Sequence, residues 1–527
     1  MRSATADRPC RPQSGPWILA AAILGTSMAF IDSTVVNVAL PALQSTFKAT
    51  VIDVQWVVES YGLFLGALIL VGGAAGDLYG RRRVFVAGIT LFAIASAACG
   101  LAQTIHQLIA ARAVQGLGAA LLTPGSLAII SASFPEQERG RAIGTWSGFS
   151  AITTALGPVL GGWLIQHASW RWIFFINLPL AAAVIAISLW HVPESHGATK
   201  RLDVPGALLA TIGLGSLVYS LIESPQLGWS HLRVIVTLAL AILCLLSFPF
   251  VEARVSSPMV PLKLFRSRLF SAANLLTLFL YAALGIFFFL FPMNLIQVHG
   301  YSATAAGAAA LPLILSMFFL SRWSGGLVTR YGPKLPLIVG PVIAAIGFAL
   351  FAIPGTSGSY WSTFFPAFLV LGLGMAISVP PLTTVVMGAV GQEFAGAASG
   401  INNAVARVAG LLAIAIFGIV MVDAFAARLD RQLESANLPP PARQELQANR
   451  TSLAATDIPA TLDPNQAIEL KAAVSSAFLF AFRLIACCCA ALALASAATA
   501  ALLIHGEKSP KSAAMGAMGA PARSPQS

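Results

Sequence analysis

Three ionisable residues stand inside stretches that are otherwise apolar: Asp32 in 17–40, Glu59 in 54–75 and Arg112 in 107–130. A charge in such a run is expensive in hydrocarbon, which makes it a candidate for function. At 1.5 Å per helical residue, each lies about 8 Å from the same edge of a ~30 Å apolar layer. Fully ionised, the trio carries one excess negative charge, and one proton would neutralise it. Arg112 would hold one acid ionised and leave the other free to titrate, a proton switch. The alternative is a static buried ion pair that only locks helices together. Gln115 shares a helical face with Arg112, and with Asn402 and Asn403 in the second half it is a candidate for the wall of a substrate cavity.

The elements that must position these residues are helices in a membrane. The chain has 527 residues, 57% hydrophobic and 10% charged, with mean hydropathy +0.81. Ordinary soluble proteins carry charge on about a quarter of their residues. Apolar runs of about 20 residues recur along nearly the whole length, each long enough to cross a bilayer as a helix. They predict an all-α, polytopic membrane protein with fourteen transmembrane helices, two six-helix bundles plus two extra helices. The expected layout is a cytoplasmic tail 1–16, a bundle 17–190, two inserted helices within 191–268, a second bundle 269–503 with a long outer loop 423–472, and a disordered tail 504–527. Arg322, Arg407 and Arg483 also fall in spans; Arg322 can snorkel, whereas Arg407 and Arg483 have no evident partner.

Composition excludes several functions. The net charge of +11 does not mark a nucleic-acid site, because its bases gather in segments on one side, such as Arg81, Arg82, Arg83, Arg139 and Arg141, while the short outer loops hold Lys48, Arg171 and Arg233. That asymmetry places both termini in the cytoplasm. Cys487, Cys488 and Cys489 are adjacent and point in three directions, so they cannot chelate one metal. No Gly-Lys pair exists to build a phosphate-cradling loop. No enzyme, no cofactor and no metal is expected, and the energy for uphill work would come from a proton gradient.

Two further motifs concern movement. GGAAGDLYGRRR at 72–83 echoes GGLVTRYGPK at 325–334, with Thr329 standing where Asp77 would repeat. Parallel repeats of this kind are how many transporters build alternating access. Gly73, Asp77, Gly80, Arg81 and Arg82 read as a gating loop in which Asp77 accepts from backbone N–H groups or pairs with an arginine. In GTWSGFSAITTALGPVLGG at 144–162, Thr153, Gly157 and Gly161 form a smooth helical face and Pro158 interrupts the backbone ladder, which suggests a hinge.

Together these motifs resemble the major facilitator superfamily, specifically its fourteen-span drug/proton antiporters of the EmrB/QacA type. The loop Gly73 to Arg82 is similar to that family's gating motif. Arg112, Gln115, Gly116 and Gly118 are similar to its fourth-span motif. Gly144, Gly157, Pro158, Gly161 and Gly162 are similar to its fifth-span antiporter motif, with Thr153 replacing a glycine. Asp32 to Pro41 and WRWIFFINLP at 170–179 also match segments typical of this branch. The resemblance implies a secondary transporter of the bacterial inner membrane that exports small amphipathic compounds in exchange for protons, that is, multidrug efflux. A transporter of one metabolite, such as an amino acid, sugar or siderophore, is the alternative. A transport-dead sensor is a third. Expected partners are the small-molecule substrate, protons and the bilayer, with a periplasmic adaptor and outer-membrane channel left open.

Overall fold

The computed structural model describes residues 14–197, 201–324, 326–356, 358–390, 395–435, 450–455 and 463–504. The expected disordered tail beyond Ile504 and much of the polar loop lie outside the described residues. Within them all regular elements are helical. The first group comprises α1 (Gly15–Phe47), α2 (Val51–Tyr79), α3 (Arg81–Leu101), α4 (Ile105–Ser133), α5 (Glu136–His167) and α6 (Trp172–His191). An inserted pair follows, α7 (Val204–Leu227) and α8 (Leu232–Glu252). The second group comprises α9 (Arg268–Val298), α10 in two pieces (Ala303–Ala308 and Leu311–Ser324), α11 (Lys334–Leu350), α12 (Tyr360–Gly388), α13 (Ala395–Ser435) and α14 (Pro464–Leu503).

Among the described residues, twelve helices are long and apolar enough to cross a membrane. Against the fourteen expected, α11 is apolar but has only 17 residues. The other, α5, has 32 residues, and many of its side chains lie outside the described residues. Within the polar segment 423–472, α13 runs on to Ser435 and α14 starts at Pro464. Leu429, Leu433 and Leu470 are buried there, so these extensions stay helical by packing an apolar stripe.

The two groups pack by different means. In the first, backbones touch at small residues: side chains at Gly72, Gly116 and Gly118 would collide with the backbone of Ala120, Tyr61 and Phe92 respectively. In the second, aromatic rings fill the centre. Phe287 lies 4.6 Å from Phe351 and Phe291 4.9 Å from Phe368, centroid to centroid. Offset and edge-on pairs of this kind hold a core rigidly. The inserted α7 packs on both α2 and α13, while α8 packs on α7 and turns Leu243, Leu246 and Phe250 outward.

The small-residue face of α5 is real and has two directions. Gly157 and Gly161 admit Thr34 and Val35 of α1, whereas Gly162 admits the backbone of Ala303 and Thr304 on α10. Gly307 of α10 in turn lies against the Pro158 carbonyl. Thus α5 is wedged between its own bundle and the other one.

Three hydrogen bonds between described residues join the halves. Gln297 Nε2 donates to Gln44 Oε1 (2.8 Å), Thr304 Oγ1 to Gln166 Oε1 (2.7 Å) and Gln55 Nε2 to the Ile414 carbonyl (3.3 Å). All gather towards the end of the molecule where α1 stops, so the halves are closed there. A Gln44→Cys/Gln297→Cys pair should therefore be joined by a short bifunctional thiol reagent and lose transport; no cross-linked band would contradict closure at this end.

Candidate functional site

Asp32 lies in the middle of α1, Arg112 and Gln115 one turn apart on α4, and all three are at most 1% exposed. Arg112 Nη1 donates to Asp32 Oδ2 in an ion pair, and to Gln115 Oε1 at 2.7 Å. Gln115 Nε2 closes the ring by donating to Asp32 Oδ1 at 2.8 Å. The same amide donates to Ser96 Oγ of α3 (3.3 Å), which itself donates to the Phe174 carbonyl (2.8 Å) and accepts from Asn177 Nδ2 (3.1 Å). Arg112 Nε donates to the Val57 carbonyl of α2 at 3.1 Å, and the guanidinium lies 4.1 Å from the centre of the Tyr61 ring. The cation thus has a carboxylate, an amide, a carbonyl and an aromatic face around it. A buried pair stands only when its remaining donors and lone pairs are satisfied in this way.

Not every expected residue joins this ring. Glu59 is fully buried, makes no ion pair with Arg112, and neither carboxyl oxygen has a hydrogen-bond partner among the described residues. It lies four residues after Gln55 and seven before Gly66, on the α2 face that meets α13. The trio is therefore a pair plus a separate acid at the seam between halves. Gln115 does not line an open cavity: it is 0% exposed and spends both ends of its amide inside the ring. Asn402 donates to Thr277 Oγ1 (2.7 Å) and Asn274 Oδ1 (3.2 Å) on α9, and exposed Asn403 only to the Ser399 carbonyl of its own helix (3.0 Å). Arg483 finds the Pro354 carbonyl at 2.9 Å. The Arg322 side chain lies outside the described residues.

The turn between α2 and α3, which holds the expected gating residues, is built as a double clasp. Arg81 reaches back one turn to Asp77, Nη2 to Oδ1 at 2.9 Å, and Gly80 turns the chain with φ +108°, a conformation that favours glycine. The stretch after α6 then straps the turn. The Glu194 carboxylate accepts from the Arg82 backbone N–H (3.0 Å) and lies 3.7 Å from Arg82 Nε and 3.6 Å from Arg83 Nε. Arg81 N–H donates to the Ser195 carbonyl (2.9 Å), and Gly197 N–H to the Asp77 carbonyl (3.0 Å). Gly73 abuts Pro124 of α4. The surroundings of Gly144 are not among the described side chains.

Sequence reasoning missed four participants: Ser96, Asn177, Tyr61 and Glu194. Asn177 stands within the WRWIFFINLP segment, so the signal was present without its meaning. Ser96 and Tyr61 are single polar groups in apolar helices and carry no pattern of their own.

Two helical halves, rich in helices apolar enough to cross a membrane, and an ion pair sealed between α1 and α4 make up the site and its scaffold. The chain belongs to the Major Facilitator Superfamily, whose family model matches residues 22–414. It is 38% identical over 434 residues to the multidrug resistance protein Stp of Mycobacterium tuberculosis, covering 81% of this chain and 79% of that one. It is 34% identical over 499 residues to the tetracenomycin C resistance and export protein of Streptomyces glaucescens, covering 91% of each. Among solved structures, a bacterial homolog of the human lysosomal transporter Spinster, inward-facing and occupied, matches 93% of this chain and 97% of that one, with TM-score 0.66 at 17% identity. That likeness bears on the fold alone. The protein is a multi-pass, non-enzymatic transporter.

Removing one partner of the pair strands the other. Asp32→Ala should lower the unfolding free energy in detergent by about 3–5 kcal/mol. Ser96→Ala should lower it by only about 1 kcal/mol. Equal effects, or the reverse order, in thermal melts would contradict the arrangement described.

Proposed function

We propose that this protein is a proton-coupled antiporter of the fourteen-span drug-exporter branch, working in the bacterial cytoplasmic membrane with both termini in the cytoplasm. The observation that carries the reading is the buried Asp32–Arg112 pair held by Gln115. A carboxylate whose ion pair is lost on protonation is a two-state element, and the helices that hold it differ in what they touch. On protonation, Asp32 ceases to hold Arg112 and α1 is freed to move relative to α4. The motion reaches the other half through α5, which α1 packs against at Gly157 and Gly161 and which meets α10 at Gly162.

Lys and Arg crowd the end that carries Arg81, so that end faces the cytoplasm and the closed end faces out. The 32-residue α5 and the apolar α11 complete fourteen crossings with the twelve helices already named. Relatives named as multidrug resistance and antibiotic export proteins support small, structurally varied cargo. One charge crossing 100 mV supplies ~2.3 kcal/mol, enough to hold roughly a 40-fold gradient of an uncharged compound.

In everted vesicles energised by respiration, the wild type should accumulate a fluorescent efflux dye and lose it when a protonophore is added. Asp32→Asn should abolish this accumulation while leaving downhill equilibration. Accumulation unchanged by the substitution, or insensitive to the protonophore, would overturn the reading.

A further inference from the structure

Arg112 is matched on every side, yet a second arginine at comparable depth is not. Arg407 lies 12 residues into α13, about 18 Å along it, far from either end of this 41-residue helix. It sits on the face that meets the other half: Gly400 abuts Leu70, a Cβ added at Gly66 would lie 3.5 Å from the Arg407 Cβ, and Gly62 abuts Leu411. Its Nε is buried without a hydrogen-bond partner, and no carboxylate comes within ion-pair distance of it among the described residues. Glu59, on the facing α2, is not within that distance either. The groups within electrostatic reach are the hydroxyls of Tyr61 and Tyr281, neither of which supplies a counter-charge.

A second observation lies on α9. Asn274, Thr277 and Tyr281 recur at helical spacing on one face of a helix otherwise rich in Leu and Phe. Asn402 of α13 donates to the first two, and Gly285 lets α13 approach closely at Gly410, so this polar stripe runs alongside Arg407. Half-buried Tyr281 has no hydrogen-bond partner for its hydroxyl among the described residues. The second half therefore carries one fixed cation and one unused hydroxyl beside the seam between halves, against an apolar background.

We propose that Arg407, with Tyr281, is the polar anchor of the substrate site, and that the preferred cargo carries an anionic oxygen group, a carboxylate or an ionised enol. This deepens and rests on the export reading above. A guanidinium inside a bilayer with no counter-ion is unfavourable, and in a transporter the missing charge arrives with the ligand. Its planar fork suits two oxygens side by side, which a lysine does not reproduce. The same fixed charge disfavours permanently cationic compounds, so the anchor sets which amphipathic molecules are taken.

The test is binding in detergent with no gradient present, read by fluorescence polarisation with a carboxylated xanthene dye and the methyl ester of the same dye. The wild type should bind the acid about tenfold or more tightly than the ester. Arg407→Gln should erase that preference by weakening the acid alone, and Arg407→Lys should retain part of it; a melting curve on each sample reads folding. Should Arg407→Gln not fold, the Lys variant and Tyr281→Phe carry the test, each reducing the preference. A wild type that binds neither dye or does not prefer the acid, or variants that keep the full preference, would overturn the proposal. Intact preference in a protein that shows no proton-driven transport would uphold this anchor and sink the antiport reading instead.

Discussion

A guanidinium and a carboxylate shut away from water cannot be left unmatched, and much of the first half is arranged to match them. Arg112 needs partners on several sides, so α4 must lie close to α1, α2 and α3 at once. Glycines make that approach possible, for a side chain at Gly116 would collide with the Tyr61 backbone and one at Gly118 with Phe92. The pair and the close packing therefore depend on each other. Loosening the backbones would admit water to the pair, and breaking the pair would leave a buried charge among apolar helices.

The second half answers a different requirement. Its centre is a stack of phenylalanines that holds α9, α11, α12 and α14 together, with few polar contacts beside it, such as Ser496 Oγ donating to the Leu276 carbonyl at 3.2 Å. Between the halves lie small residues and a few hydrogen bonds gathered at one end. A stiff body, a second body tied by a buried ion pair, and a lightly bonded seam are what rigid-body rocking needs. The inserted α7 spans this seam on the α2–α13 side, where the Trp56 indole N–H donates to Glu223 at 2.8 Å.

Much of this was legible from residue types. Hydropathy located the helices because a bilayer tolerates little else, and spacing placed Arg112 and Gln115 on one face. Depth along a helix brought Asp32 and Arg112 to one level but carried no information about azimuth, which is why Glu59 was grouped with them although it faces α13. Gln115 looked like a cavity residue because a polar side chain in a span has either water or a buried partner, and sequence does not say which. The extent of α13 and α14 was hidden for a related reason: their ends are polar overall, and only the buried stripe of Leu429, Leu433 and Leu470 keeps them helical. Glu194 and the strap over Gly80 arise from a loop folding back on a distant turn, a contact that no local pattern encodes.

The central claim is that a proton and the cargo compete through Asp32, and binding and protonation must then be linked reciprocally. The most direct measurement is the number of protons released when purified transporter in weakly buffered detergent is saturated with an exported compound, read with a pH indicator. At a pH low enough for Asp32 to carry its proton before the compound binds, the account predicts about one proton released per compound bound by the wild type, and none by Asp32→Asn. A wild type that binds the compound while releasing no proton would contradict it.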